Sequence, residues 1–146
     1  MFTTGQELAG RFLLVRQLSN GAKPVWLARE RSTDESVALK IFTGARAAAE
    51  AEHNQLIALS HPHILRPTML LHAGDQALMV MPAIGHGTLA SLRGQPAGRF
   101  LAPVLQVART VAWLHEQSLV HSDLKPDNVL LDLSGNTQLI DFGNCL

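Results

Sequence analysis

The stretch Leu119 to Asn128, reading LVHSDLKPDN, places Asp123, Lys125 and Asn128 on one polar loop at spacings of two and three residues. Thirteen positions beyond Asn128 stands Asp141, the first residue of Asp141-Phe142-Gly143. A carboxylate and an amide oxygen on neighbouring loops are hard ligands that suit a cation such as Mg²⁺, and a lysine beside them suits the phosphate such a cation escorts. Taken singly these residues carry little, because an isolated lysine or aspartate is ordinarily a solvated surface charge. Their order and spacing carry the signal.

The elements that must position these groups can be read from periodicity and turn chemistry. Arg11 to Leu18, Val25 to Glu30 and Ser36 to Phe42 read as strands, with connections at Ser19-Asn20-Gly21 and Ser32-Thr33-Asp34-Glu35. Gly44 to Leu59 reads as a helix that ends before Ser60-His61-Pro62. Leu65 to Leu71 and Gln76 to Met81 form a further antiparallel pair turning at Ala73-Gly74-Asp75. A short helical stretch follows Thr88. From Phe100 to Gln117 a helical stripe runs through Leu101, Leu105, Ala108, Ala112 and His115, with Pro103 fitting only in the first turn. Val129 to Leu131 and Gln138 to Ile140 flank Ser134-Gly135-Asn136 and read as a hairpin. The fold class expected is α+β: a five-stranded antiparallel sheet with one helix, then a long helix, a polar loop and a β-hairpin.

In this order His121 to Asn128, Asp141 to Gly143 and Val37-Ala38-Leu39-Lys40 resemble the signatures of the protein kinase family. The resemblance implies an N-lobe over 1–81, a hinge over 82–87 and the first part of a helical C-lobe over 88–146. It also implies roles. Lys40 pairs the α- and β-phosphates of ATP and is held by an acidic residue on the following helix, for which Glu50 and Glu52 both stand as candidates. Counting back ten positions from Pro62, as the family's spacing directs, gives Glu52. Asp123 accepts or orients the substrate hydroxyl proton, Lys125 neutralises the transferred phosphoryl, and Asn128 and Asp141 hold Mg²⁺, with Mn²⁺ as a substitute. Gly87-Thr88-Leu89 aligns with the segment after the family's hinge, making Met81 the gatekeeper. Pro82 and Ile84 then meet the adenine edge through backbone groups, and Val25 and Ala38 roof the base.

The chain departs from the family's pattern in three places. The phosphate-covering loop, Leu18 to Val25, retains only Gly21 of three expected glycines, and Pro24 removes an amide that would face phosphate. Lys23 reads as a solvated lysine, with a point charge toward phosphate as the other reading. Ser122 replaces the arginine that pairs with a phosphorylated activation loop. Gly143 stands three residues before the last residue, so a truncated or reduced kinase is expected. The stripe of the long helix then needs a cover, supplied by self-association or by a partner protein.

The function expected is ATP- and Mg²⁺-dependent transfer of the γ-phosphate to a hydroxyl, with ATP and a protein substrate as partners. A kinase-like binding module working through protein contacts is the alternative, and a small-molecule kinase a third reading. Twelve basic against twelve acidic residues leave no net charge, which disfavours a general nucleic-acid binder. No stretch reaches the roughly 18 apolar residues that span a bilayer, and the single cysteine, Cys145, cannot close an intrachain disulfide, so a cytoplasmic setting is expected. Seven histidines show no zinc-ligand spacing. With 47% of residues hydrophobic and 16% charged, the chain is folded, yet its surface should be unusually apolar.

Overall fold

In the computed structural model, which describes residues 1–85 and 87–146, the strand pattern of β4 (Ser36–Thr43) explains the first half of the chain. Val37, Leu39 and Ile41 point to one face of a sheet, and Ala38, Lys40 and Phe42 to the other, the period of two that a pleated strand imposes. Around it stand β1 (Glu7–Leu8), β2 (Phe12–Ser19), β3 (Val25–Glu30), β5 (Met69–Ala73) and β6 (Gln76–Pro82), all antiparallel, in the order β1-β2-β3-β4-β6-β5. One sheet face gathers Phe12, Leu14, Trp26, Ala28, Leu39, Ile41, Leu78 and Val80 into a buried apolar core. At roughly 1.5–3 kcal/mol per buried large side chain, that face is the main source of the sheet's stability.

The sheet has six strands where five are expected. The extra strand, β1, is two residues long and turns into β2 through Ala9 and Gly10, both at positive φ (53° and 62°). Strand β5 begins at Met69 rather than Leu65, because Pro67 has no N–H for a ladder and the Leu65 N–H is already given to the Leu139 carbonyl at 3.1 Å. Helix α1 (Arg46–Ala58) begins two residues later than Gly44, whose φ of 64° lies outside the right-handed helix.

The chain divides into two compact units, residues 1–57 with 66–83, and residues 58–65 with 84–146. Residues 58–65 thus belong to the second compact unit. This segment joins the second unit through backbone bonds: Leu139 N–H donates to the His63 carbonyl at 2.8 Å, beside the Leu65 bond. The hinge expected over 82–87 includes His86, which lies outside the described residues.

The second unit holds helix α2 (Gly98–Glu116) and the hairpin β7 (Val129–Leu131) with β8 (Thr137–Leu139). Pro103 is the sixth residue of α2, not in its first turn. The helix starts early because the Arg99 and Phe100 N–H groups bond back to the Pro96 and Ala97 carbonyls, a tight 3₁₀-type turn. The inward face of α2 is Pro103, Thr110 and Leu114, while Leu101, Leu105, Ala108, Ala112 and His115, the anticipated stripe, are exposed, Leu101 by 71%. Gln106 fastens α2 to the hairpin: its Oε1 accepts from Thr137 N–H at 2.9 Å and Thr137 Oγ1 at 3.1 Å, and its Nε2 donates to Asn136 Oδ1 at 3.2 Å. The helix ends with Ser118 in the left-handed region (φ 59°), its N–H bonded to the His115 carbonyl and the Leu119 N–H to that of Leu114. This Schellman arrangement sets where the following polar loop begins.

Two predictions follow from these contacts. Gln106→Leu strands the buried Thr137 amide, so urea unfolding should show a loss of about 1–3 kcal/mol; an unchanged midpoint and slope would refute the clamp. Acidification should also destabilise the fold in two stages. Burial, and secondarily the charge of His63, hold His61 below its ordinary value of 6.5, so its contribution is full above that pH and declines below it as the unfolded chain takes the proton first. Hydrogen bonds from Ser32 and Arg11 hold Glu30 down, and those from Asn136, Ser134 and Gly135 hold Asp132 down, so their contribution is present above ordinary values of 4.5 and 3.8 and is lost as pH falls below them. Unfolding free energy measured from pH 7 to 3 should fall in both windows, with His61→Gln flattening the upper one only.

Candidate functional site

In the first unit, the register Val25↔Lys40 and Ala38↔Met81 sets Val25, Ala38, Lys40 and Met81 on one sheet face, opposite the apolar core. Helix α1 turns Ala49, Glu52 and Leu56 inward at spacings of three and four residues, one helical face. Lys40 Nζ and Glu52 Oε1 meet at 2.6 Å, with both side chains almost wholly buried. Removing an ammonium and a carboxylate from water costs several kcal/mol per ion, and only close geometry offsets it. Glu50 is turned away, 3.0 Å from Arg46 and 3.4 Å from His72 on the exposed side of α1. The carboxylate that Lys40 meets is therefore that of Glu52.

The loop before β3 departs from its expected solvation. Lys23 is one-third exposed, and its Nζ lies 3.8 Å from Glu52 Oε2 and 5.2 Å from the centre of the Phe42 ring. Oε2 is buried and makes no hydrogen bond. The Pro24 carbonyl accepts from Ile41 N–H at 2.9 Å, tying the end of the loop to β4. Gly21 is exposed at a φ of 127°, which a side chain would strain. Met81 is buried, Pro82 closes β6 opposite Val37 and is exposed, and Ile84, in the second unit, is half-buried.

In the second unit the polar loop is held by two buried side chains. His121 Nε2 lies 2.8 Å from the Ile140 carbonyl, which can only accept, so Nε2 carries the proton; Nδ1 then receives the Asp123 N–H at 3.3 Å. The His121 ring meets Phe142 edge-on, with centres 4.9 Å apart. Asn128 Nδ2 donates to the Asp123 carbonyl at 2.8 Å and to Asp123 Oδ2 at 3.1 Å. Lys125 Nζ stands 3.1 Å from the same Oδ2. The Asn128 carbonyl accepts from Ile140 N–H at 3.0 Å, which brings Asp141, the next residue, to the Asn128 end of the hairpin. Ser122 and Asp141 both hold positive φ (64° and 65°), backbone conformations that concentrate at functional sites.

These bonds decide what a cation would meet. With its nitrogen engaged twice by Asp123, the Asn128 side chain has its oxygen left as the ligand atom. Among the described residues no three His, Cys, Asp or Glu side chains gather as a metal cluster. One amide oxygen and one carboxylate, completed by phosphate oxygens and water, is a donor set that suits Mg²⁺, which keeps much of its hydration and is rarely caged by protein alone.

Sequence reasoning missed Gln106 and the approach of Lys23 to Glu52. Lys23 lies two residues before Val25, the residue opposite Lys40, so strand periodicity signals its side of the sheet. Gln106 carries no such signal, since nothing local marks which polar residue of a helix meets a distant strand.

Comparison with known proteins agrees with the motifs. The sequence pattern of the protein kinase domain matches residues 15–146. An Aurora kinase of Patiria pectinifera is 32% identical, with 82% of this chain and 32% of that kinase aligned. Serine/threonine-protein kinase pkn2 of Myxococcus xanthus is 31% identical, over 93% of this chain and 18% of that protein. CBL-interacting protein kinase 4 of Oryza sativa subsp. japonica is 32% identical, over 95% and 34%. The chain thus spans about a third or less of the length of these relatives. With the domain pattern matched over most of its length, the chain belongs to the protein kinase domain family.

Proposed function

We propose that the chain is an ATP- and Mg²⁺-dependent phosphotransferase that moves the γ-phosphate to a hydroxyl of a protein substrate, after the manner of serine/threonine kinases. The observation that carries this reading is the double anchorage of the Asn128 amide on Asp123, which orients one oxygen ligand and one carboxylate together. Asp123 accepts or orients the hydroxyl proton, and its backbone is steadied by His121. Lys125, already beside that carboxylate, offsets negative charge on the transferred phosphoryl. Lys40, oriented by Glu52, serves the α- and β-phosphates. Val25, Ala38 and Met81 supply apolar contact for the base, and the Pro82 carbonyl and Ile84 backbone supply its polar edge. Mg²⁺ on Asn128 and Asp141, or Mn²⁺ in its place, supplies charge neutralisation on the phosphates.

A second reading has its own observation. Leu101, Val104 and Leu105 are all at least half exposed on one side of α2, which favours a binding module that works through protein contacts or self-association. No helix among the described residues is long and apolar enough to cross a membrane, so that face is not part of a spanning helix.

Two measurements separate the readings. With radiolabelled ATP and Mg²⁺, the chain should transfer γ-phosphate to itself or to a generic protein substrate, and Asp123→Ala should lower the rate about 10²- to 10⁴-fold. Asp141→Ala should abolish the Mg²⁺-dependent transfer. Wild type no faster than Asp123→Ala would leave only the binding module. Light scattering over a concentration series should show mass rising with concentration, and Leu101→Glu with Leu105→Glu should abolish the rise; a concentration-independent monomer in wild type would refute self-association.

A further inference from the structure

Two ammonium groups share one buried carboxylate in the first unit. Lys40 takes Glu52 Oε1 at 2.6 Å, and Lys23 stands 3.8 Å from Oε2, beyond hydrogen-bond reach. Oε2 is buried without a hydrogen bond, so the second contact is an attraction of charges and not a closed ion pair. Lys40 and Lys23 also flank the Phe42 ring, at 5.6 Å and 5.2 Å from its centre. Glu52 thus closes an ion pair with Lys40 and leaves Lys23 without a hydrogen bond to it. Of the two lysines, Lys23 is the one free to move. Lys23 is one-third exposed on a loop, whereas Lys40 is buried in a central strand.

That loop is the segment whose glycines would otherwise offer amides to phosphate, and it keeps only Gly21, with Pro24 lacking an N–H altogether. We infer that Lys23 is a second phosphate-binding lysine, which rests on Glu52 Oε2 without nucleotide and turns to the phosphates of a bound nucleoside triphosphate. The inference deepens the nucleotide-binding reading above and rests on it. A flexible ammonium replaces directional amides by charge, so affinity comes to depend on phosphate number and on salt more than on loop geometry.

Calorimetric titration of the full chain with ATP, ADP and adenosine, each with Mg²⁺, tests this on wild type, Lys23→Met and Lys23→Arg. Lys23→Met should weaken ATP about ten- to a hundredfold, the range for a charged hydrogen bond, and leave adenosine within about twofold. Lys23→Arg should restore ATP binding. The wild-type preference for ATP over adenosine should shrink as salt rises, and that of Lys23→Met should change less. Equal losses for ATP and adenosine in Lys23→Met would mark a structural role and overturn the inference. Wild-type ATP affinity in Lys23→Met would overturn it while leaving the nucleotide reading intact. A wild-type chain that binds neither ATP nor adenosine would overturn both.

Discussion

The polar loop over residues 119–128 is mostly exposed and is fixed by the two side chains in it that are buried, His121 and Asn128. His121 bridges the Ile140 carbonyl and the Asp123 amide, and Asn128 closes on the Asp123 carbonyl from the other side. Each bond that satisfies the backbone also sets a chemical group. The first leaves His121 with one possible proton position. The second leaves the Asn128 oxygen as the atom available to a cation, and the Ile140 amide on the Asn128 carbonyl brings Asp141 alongside. Polar satisfaction and the geometry of the candidate site are thus the same set of contacts, which is why an Asn and a His here are buried although both are polar.

The sheet solves a related problem with two unlike faces. Its inward face is built mainly by apolar packing, with Glu30 at its edge held by Arg11 and Ser32. Its other face includes Lys40 in a central strand, and α1 delivers Glu52 to that buried ammonium. The helix is short and has few apolar residues on its buried side, so the ion pair is also one of the contacts that holds it to the sheet. A group that orients a phosphate ligand in the proposed activity therefore doubles as the seat of a helix.

Local chemistry made much of this legible. Alternation exposed the strands, Ala73-Gly74-Asp75 marked the β5–β6 turn, and counting ten positions back from Pro62 chose Glu52 over Glu50. What stayed hidden depends on distant partners. Strand β1 is too short for a period to show, and its turn uses Ala9 in a conformation usually left to Gly or Asn. The allegiance of 58–65 to the second unit is decided by Leu139, more than seventy residues away in sequence. Lys23 looked solvated because a lysine in a loop ordinarily is, and only the carboxylate brought by α1 turns it inward.

Helix α2 shows why an apolar stripe does not by itself name the buried face. Periodicity correctly groups Leu101, Leu105, Ala108 and Ala112 on one side, yet that side faces outward. The inward side includes polar residues because the hairpin it meets presents a backbone amide at Thr137 that must be satisfied, and Gln106 supplies the oxygen. Thr110 can lie inward too, since its hydroxyl bonds back to the Gln106 carbonyl at 2.9 Å and leaves no polar atom stranded. Once polar residues are committed to the interior in this way, the helix's leucines are left for the surface. The exposed Leu101, Val104 and Leu105 are thus an apolar part of the surface that follows from how this helix meets the hairpin.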